Sequence, residues 1–136
     1  MISLDTNAVI AAISSRIPGV REKLEAALID QTPIGMSVIV VYELTYGIRK
    51  SARPQANTAA LAAFVSLGLS VWPFEPEDAE EAGEIRQVLE RAGTPIGPYD
   101  ILIAAQSRRR GACLITANTR EFARIPGLRI ENWTRD

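Results

Sequence analysis

The chain has 136 residues, one cysteine, no histidine and a formal charge of −1 at neutral pH. This length suits one domain and is sufficient to bury a core. The absence of histidine excludes a Ser-His-Asp triad and a histidine-ligated zinc site, and the lone Cys113 can form neither an internal disulfide nor a zinc site of four thiolates. Chemistry must therefore rest on carboxylates, hydroxyls, amides, Arg or Lys. The charge argues against a generally basic nucleic-acid binder, but it is compatible with an acidic pocket ringed by arginines.

The sequence contains no pattern typical of a membrane or exported protein. The longest mostly apolar run, around residues 34–42, is too short to cross a bilayer. The chain opens with Met-Ile-Ser-Leu, without a basic segment leading into a signal-peptide core. No internal repeat, low-complexity tract or linker is present. The sequence therefore predicts a single domain over residues 1–136 in a soluble, cytoplasmic protein.

Short apolar segments alternate with amphipathic segments along the chain. In chain order, the pattern predicts strands at residues 2–4, 33–36, 71–74, 112–116 and 128–130. It predicts helices at residues 20–29, 38–50, 55–67, 76–92 and 100–110, and a single helical turn at 121–124. Such alternation is typical of the α/β class. We expect an α/β/α sandwich with a mostly parallel central sheet.

Polar clusters follow two of the predicted strands. Asp5-Thr6-Asn7 comes directly after the first strand, and Thr116-Ala117-Asn118 follows the fourth. In parallel sheets, ligands bind beyond the carboxyl ends of the strands. The two clusters therefore indicate a site at that edge of the sheet, although their order in the sequence does not by itself make them neighbours.

Three acids lack basic partners at helical spacing. Glu43 lies in a mostly apolar segment, and the positions three and four residues away carry no base. Asp100 has Ile103 and Ala104 at the corresponding positions, and Asp5 follows a strand. Each has a structural explanation: a helix cap for Asp5 and Asp100, and a distant ion pair for Glu43. Together, however, three carboxylates can ligate one or two hard cations such as Mg²⁺ or Mn²⁺, which activate water for phosphodiester hydrolysis.

The sequence around these acids resembles a known family. The segments are LDTN at 4–7, VYEL at 41–44, GPYDILIAA at 97–105, LITANTREF at 114–122 and IPGLRIENW at 125–133. Their order resembles that of PIN-domain ribonuclease toxins of the VapC type. The resemblance implies a PIN-like fold and a Mg²⁺- or Mn²⁺-dependent endoribonuclease that cleaves RNA. It also implies inhibition by a cognate VapB-type antitoxin and a homodimer.

By this resemblance, Asp5, Glu43 and Asp100 are the catalytic and metal-binding acids. Asn118 stands where many PIN domains carry a fourth acid. It can hold a metal-bound water through its amide but cannot supply charge, which leaves the second metal open. Glu121, one turn later, could reach the site instead, although capping or surface exposure explains this residue better.

Two basic residues are candidates for contact with RNA. Arg49 and Lys50 follow the Glu43 segment, and cationic side chains near an acidic site can position phosphates. We expect them to bind substrate.

The sequence is also compared with the requirements of two other functions. A catalytically inactive PIN-like module that binds RNA or an antitoxin is favoured only by Asn118. A phosphatase of the haloacid-dehalogenase type also begins with an Asp after the first strand. That chemistry requires a second Asp two residues later, where this chain has Asn7, and a late lysine, whereas no lysine follows Lys50.

Overall fold

A computed structural model of the protein describes residues 1–134, so the last two residues of the predicted single domain, 135–136, lie outside the described residues. The strands are β1 (Ile2–Leu4), β2 (Ile34–Ser37), β3 (Ser70–Trp72), β4 (Cys113–Ile115) and β5 (Arg129–Glu131). The helices are α1 (Thr6–Ser14), α2 (Pro18–Ile29), α3 (Val38–Lys50), α4 (Pro54–Val65), α5 (Pro76–Arg91), α6 (Pro98–Arg109) and α7 (Thr119–Phe122). Within residues 1–134, no helix combines the length and apolar character needed to span a membrane.

The predicted α/β class is confirmed. The five strands form one sheet in the order β3-β2-β1-β4-β5, and every neighbouring pair is parallel. The sheet that was expected to be mostly parallel is therefore wholly parallel in the described part of the chain. Every predicted strand and helix is present, with boundaries that differ by no more than two residues.

Helix α1 is the element that the sequence analysis missed. Asp5, in an extended conformation, accepts a hydrogen bond from the amide of Ala8 and so caps the helix directly after β1. Its buried face consists of Ala8, Val9 and Ala12, which are small, so the helical period is weak in the sequence. The helix ends at Ser15, which adopts a left-handed conformation with φ of 55°. The polar cluster that follows β1 is thus the start of a helix, and the structural explanation of Asp5 as a helix cap is confirmed.

The connections place helices on both faces of the sheet. Helices α1 to α4 connect β1 to β2 and β2 to β3, moving toward one edge. Helices α5 and α6 connect β3 to β4, which returns the chain across the sheet to the other side of β1, and α7 connects β4 to β5. Because parallel crossovers are right-handed, this reversal of direction puts the two groups on opposite faces. Helix α1 accordingly packs against α2, α3 and α4, whereas α5 packs against α6. Leu4, Met36 and Leu114 fill the core at the central strands.

Two partly buried ion pairs connect α6 to α5. Asp78 is fully buried, completes a capping box with Glu75 at the start of α5, and pairs with Arg109 near the end of α6. Arg108 pairs with Glu81 at 2.6 Å. Because a buried charge without its partner is costly, these contacts define how α6 lies on α5. The first turn of α6 carries Asp100, whose position therefore depends on this packing.

Candidate active site

The chain changes direction across the sheet between β1 and β4, and Asp5 lies at that point. It follows β1 directly, is only 7% exposed, and its Oδ1 accepts a hydrogen bond of 2.8 Å from the Ala8 amide. Thr116 follows β4 and is buried beside it. The two polar clusters predicted to share the carboxyl edge are thus neighbours, as expected at a topological switch point.

Glu43 enters the same pocket from α3. The Ser37 hydroxyl caps this helix by accepting a hydrogen bond from the Ile39 amide, and Val40 and Leu44 form its buried inner face. Glu43 lies between the buried and exposed faces and is half-buried. The Thr6 hydroxyl donates a hydrogen bond of 2.6 Å to Glu43 Oε1. The carboxylate is therefore held by a neighbour of Asp5.

Asp100 occupies the first turn of α6. The helix begins at Pro98 with Gly97 as its N-cap residue, so the interpretation of Asp100 as a simple cap is wrong. Asp100 is half-buried, and Asp5, Glu43 and Glu121 are its charged neighbours. Within residues 1–134, no ion pair joins Asp5, Glu43 or Asp100 to a basic side chain.

The electrostatics of the pocket reflect burial and mutual repulsion. Burial raises the pKa of Asp100 to about 6, and the negative charges of Glu43, Asp5 and Glu121 contribute to the rise. Burial also raises the pKa of Asp5 above its usual value, and Glu43 adds to this rise. Hydrogen bonds from the Thr116 hydroxyl and the Ala8 amide oppose it. The pocket therefore favours a bound positive charge.

Glu121 is the acid to which the sequence analysis gave too little weight. It is half-buried in α7, and its Oε2 accepts a hydrogen bond of 3.2 Å from the Asn118 side-chain amide. The backbone amide of Asn118 in turn donates to the Thr116 hydroxyl at 2.9 Å. Asn118 thus lies at the predicted place, but its amide is engaged in holding Glu121. The three-residue spacing of the two side chains on a helical turn was the available signal.

The side chains of the pocket that could act as metal ligands offer oxygen atoms. They are the carboxylates, the Thr6 and Thr116 hydroxyls and the side-chain amide of Asn118. This set matches the preference of Mg²⁺ and Mn²⁺. Among residues 1–134, however, the structure does not bring three acidic or thiol side chains close enough together to hold a metal ion. The donor chemistry and the repulsion among the acids fit a divalent cation, whereas the metal-binding assignment itself stays a prediction.

The two predicted substrate-binding bases lie at the end of α3. Lys50 is seven residues beyond Glu43, which places it on the same helical face roughly 10 Å along the axis. Its Nζ lies 4.5 Å from the centre of the Tyr46 ring. Arg49 is exposed and points to a different face, because six residues correspond to a rotation far from a whole number of turns. Lys50 therefore lies on the helical face that carries Glu43, whereas Arg49 does not.

A groove beside the pocket lies between α1, α3 and α4. Its volume is about 490 Å³. The walls include the partly exposed apolar side chains Ile10, Ile13 and Leu61, and Glu43 is part of the lining. An apolar groove that opens onto an acid has the form of a docking site for an amphipathic helix with one basic side chain.

Comparison with known proteins agrees with this site. A family model described as PIN domain matches residues 2–128. The tRNA(fMet)-specific endonuclease VapC of Salmonella typhimurium is 41% identical over 130 residues, which cover 96% of each chain. Ribonuclease VapC2 of Rickettsia felis is 38% identical over 132 residues, which cover 97% of each chain.

Solved structures give the same result. VapBC2 from Rickettsia felis, bound to a DNA fragment from its promoter, has a TM-score of 0.90 and 37% identity, covering 98% of this chain and 99% of that one. DNA-bound VapBC from Salmonella typhimurium has a TM-score of 0.88 and 40% identity, with the same coverage.

The fold and the sequence match together define the class: the chain belongs to the PIN-domain family. Within that family, the relatives compared above are VapC ribonucleases, and at 38–41% identity over almost the whole length the chain is of the VapC type. The family predicted from the five sequence segments is confirmed.

Proposed function

We propose that this protein is a Mg²⁺- or Mn²⁺-dependent endoribonuclease whose catalytic, metal-binding acids are Asp5, Glu43 and Asp100. One observation supports the proposal: the three carboxylates come from three separate elements near the switch point of the sheet, their charges interact, and none forms an ion pair with a basic side chain within residues 1–134. A fold tolerates such repulsion poorly unless a cation relieves it.

Each residue has a distinct part in this mechanism. When bound, the cation lowers the pKa of a water molecule and neutralises a phosphoryl oxygen. The Ala8 amide orients the Asp5 carboxylate, and the Thr6 hydroxyl orients Glu43. Burial and the neighbouring acids raise the pKa of Asp100 to about 6, and a bound cation would stabilise the ionised form of this carboxylate. The activated water would attack the phosphorus and give its proton to solvent, while the bond to the leaving oxygen breaks and that oxygen takes up a proton from solvent.

Glu121 acts as the fourth acid in this proposal. Asn118 occupies the position where many PIN domains have a carboxylate, and it cannot carry charge. Its amide instead directs Glu121, whose charge contributes to the raised pKa of Asp100. A second cation would therefore be held by Glu121 and Asp100, with Asn118 holding a coordinated water.

The substrate proposed here is a structured RNA, with transfer RNA first. The Salmonella typhimurium and Shigella flexneri relatives, at 41% and 40% identity, are tRNA(fMet)-specific endonucleases by name. Ribosomal RNA is the second candidate, because a solved VapC from Mycobacterium tuberculosis is described as cleaving the sarcin–ricin loop, although its 18% identity extends only to the fold.

The partner proposed for the groove is an antitoxin helix. Its apolar face would cover Ile10 and Leu61, and a basic side chain would reach Glu43 at the pocket end of the groove. This basic side chain would compete with the divalent ion for the carboxylates. The antitoxin would then inhibit RNA cleavage by preventing metal binding. The homodimer implied by the family stays a prediction.

The deciding experiment is cleavage of 5′-labelled transfer RNA in Mn²⁺ by wild type, Asp5→Asn and Asp100→Asn. We expect both variants to lose cleavage and wild type to lose it in EDTA. Asp30→Asn is the matched control, since Asp30 is exposed at the end of α2 near the opposite edge of the sheet. Full activity of Asp5→Asn would refute the carboxylate mechanism. A wild type that binds RNA without cutting it would establish the inactive module instead. Sequencing of RNA 5′ ends after brief induction identifies the site that is cut.

A further inference from the structure

Tyr42 and Tyr99 form a ring pair at the edge of the pocket. Their ring centres are 5.4 Å apart at an interplanar angle of 56°, and their hydroxyl oxygens are 3.3 Å apart. Tyr42 lies on α3 immediately before Glu43, and Tyr99 lies on α6 immediately before Asp100. The pair therefore bridges the two helices that carry two of the acids.

A third tyrosine extends this surface along α3. Tyr46 is one turn beyond Tyr42, and Lys50 is one turn beyond Tyr46, with its Nζ 4.5 Å from the ring centre. Residues four apart share a helical face. We call Tyr42, Tyr46 and Tyr99 the tyrosine strip; it runs from the acids to the cationic end of α3.

The tyrosine strip is not explained by packing of the described chain. The side chains are 54%, 60% and 44% exposed for Tyr42, Tyr46 and Tyr99. The sequence has three tyrosines in all, and every one of them lies on this strip. Aromatic rings contribute most to stability when they are buried, so three half-exposed rings at one place indicate a binding surface.

The charge of the protein indicates how such a surface would bind RNA. Because the net charge is −1 and the pocket is acidic, the protein attracts phosphates only weakly. Part of the free energy of RNA binding must therefore come from contacts that do not depend on charge. Stacking of bases on aromatic rings supplies one, and it is strongest for unpaired bases. Lys50, at the far end of the strip, suits an adjacent phosphate.

We propose that Tyr42 and Tyr99 form a stacking platform for unpaired RNA bases next to the scissile phosphate, with Tyr46 holding Lys50 toward the backbone. The proposal rests on the nuclease function proposed above. The tyrosine strip then determines which RNA is bound. The protein binds RNA whose nucleotides beside the cut are unpaired, and it does not bind fully paired RNA. The hydroxyl contact between the rings keeps the platform in a fixed orientation to Glu43 and Asp100.

The test separates stacking from attraction to the backbone. Two fluorescent probes are compared by anisotropy in EDTA: a single-stranded oligoadenylate, and an abasic oligomer with the same number of phosphates. We expect wild type to prefer oligoadenylate by roughly tenfold or more, as loss of a stacked base commonly costs. The Tyr42→Ala and Tyr99→Ala variants should lose this preference while binding the abasic probe unchanged. Tyr42→Phe and Tyr99→Phe, which keep the rings, should retain most of it.

Controls keep the test decisive. Tyr42→Leu retains an apolar side chain without a ring and must behave as Tyr42→Ala, and Ile29→Ala removes an exposed apolar side chain at the opposite edge of the sheet. Thermal melting verifies that each variant is folded. Equal binding of the two probes by wild type would overturn the platform. So would alanine variants that keep the base preference but dissociate in sedimentation velocity, because the strip would then be a protein interface. Base-dependent binding by a protein that cuts no RNA would support the platform and refute the nuclease.

Discussion

The Thr6 hydroxyl donates a hydrogen bond of 2.6 Å to Oε1 of Glu43, and this bond joins α1 to α3 inside the pocket. Thr6 is the first residue of α1, directly after the capping residue Asp5. The bond therefore couples the orientation of one acid to the backbone that positions another. A hydrogen bond to a charged carboxylate is among the stronger contacts that one side chain can make.

Replacing Thr6 by valine should slow RNA cleavage with little change in fold. Valine has nearly the same shape but lacks the hydroxyl, so Glu43 loses the contact that fixes its direction. We expect a decrease in kcat/KM of roughly tenfold, equivalent to about 1.4 kcal/mol of transition-state stabilisation. Thr6→Ser restores a hydroxyl and should recover most of the rate. Equal rates for Val and Thr at position 6 would show that the bond does not contribute to catalysis.

Replacing Asp100 by asparagine should not lower the melting temperature of the metal-free protein at neutral pH. The pKa of Asp100 is raised to about 6 in the folded state, above its usual value of 3.8, so the folded protein binds the proton more tightly than the unfolded chain does. The ionised carboxylate therefore destabilises the fold above about pH 6. This cost decreases as the pH falls through 6 and is absent below about 3.8. Asparagine removes the charge at every pH.

The measurement is thermal melting of wild type and Asp100→Asn in EDTA across this pH range. The variant should melt at the same temperature or higher at pH 7 and lose any advantage below pH 4. Added Mg²⁺ should stabilise the variant less than wild type, because one ligand is gone. A large loss of stability at neutral pH would instead show that Asp100 has a structural role at the start of α6.

The fold was predictable from the sequence because its strong signals are local. Short apolar segments that alternate with helices indicate a parallel sheet, and Ser37 marks the start of α3 where predicted. Helix α1 was missed because its buried face is built from small residues and begins without a turn after β1. The order of strands required the handedness of crossovers and could not come from periodicity.

The acids of the pocket were predictable for a different reason. Glu43 and Asp100 stand in apolar surroundings without a helical partner, which leaves each charge unexplained by local structure. Glu121 looked like an ordinary surface residue, since its relation to Asp100 depends on how α7 packs beside α6. The Tyr42–Tyr99 pair likewise joins residues 57 positions apart, and no local pattern reports such a contact.

Replacing Glu121 by glutamine should weaken binding of a divalent cation. The change removes one of the negative charges around Asp100 while preserving shape, so the pKa of Asp100 should move back toward its usual value. Titration of Mn²⁺ by calorimetry is expected to show a weaker affinity, on the order of tenfold, as is common when a supporting carboxylate is lost. Glu131→Gln changes an exposed acid on β5 and serves as the control. Unchanged affinity in Glu121→Gln would place Glu121 outside the metal site.

Inhibition by the antitoxin should weaken as Mn²⁺ increases. If a basic side chain of the antitoxin reaches Glu43 through the groove, it and the metal ion compete for the same carboxylates, so the concentration of antitoxin that halves RNA cleavage should rise with Mn²⁺. Ile10→Asp places a charge on the apolar wall of the groove and should abolish inhibition while leaving cleavage intact, since Ile10 is 49% exposed. Ile29→Asp, equally polar but outside the groove, should be inhibited normally. If inhibition does not depend on Mn²⁺ but is lost in Ile10→Asp, the antitoxin helix covers the groove and blocks RNA without entering the pocket. If Ile10→Asp is still inhibited, the antitoxin binds another surface.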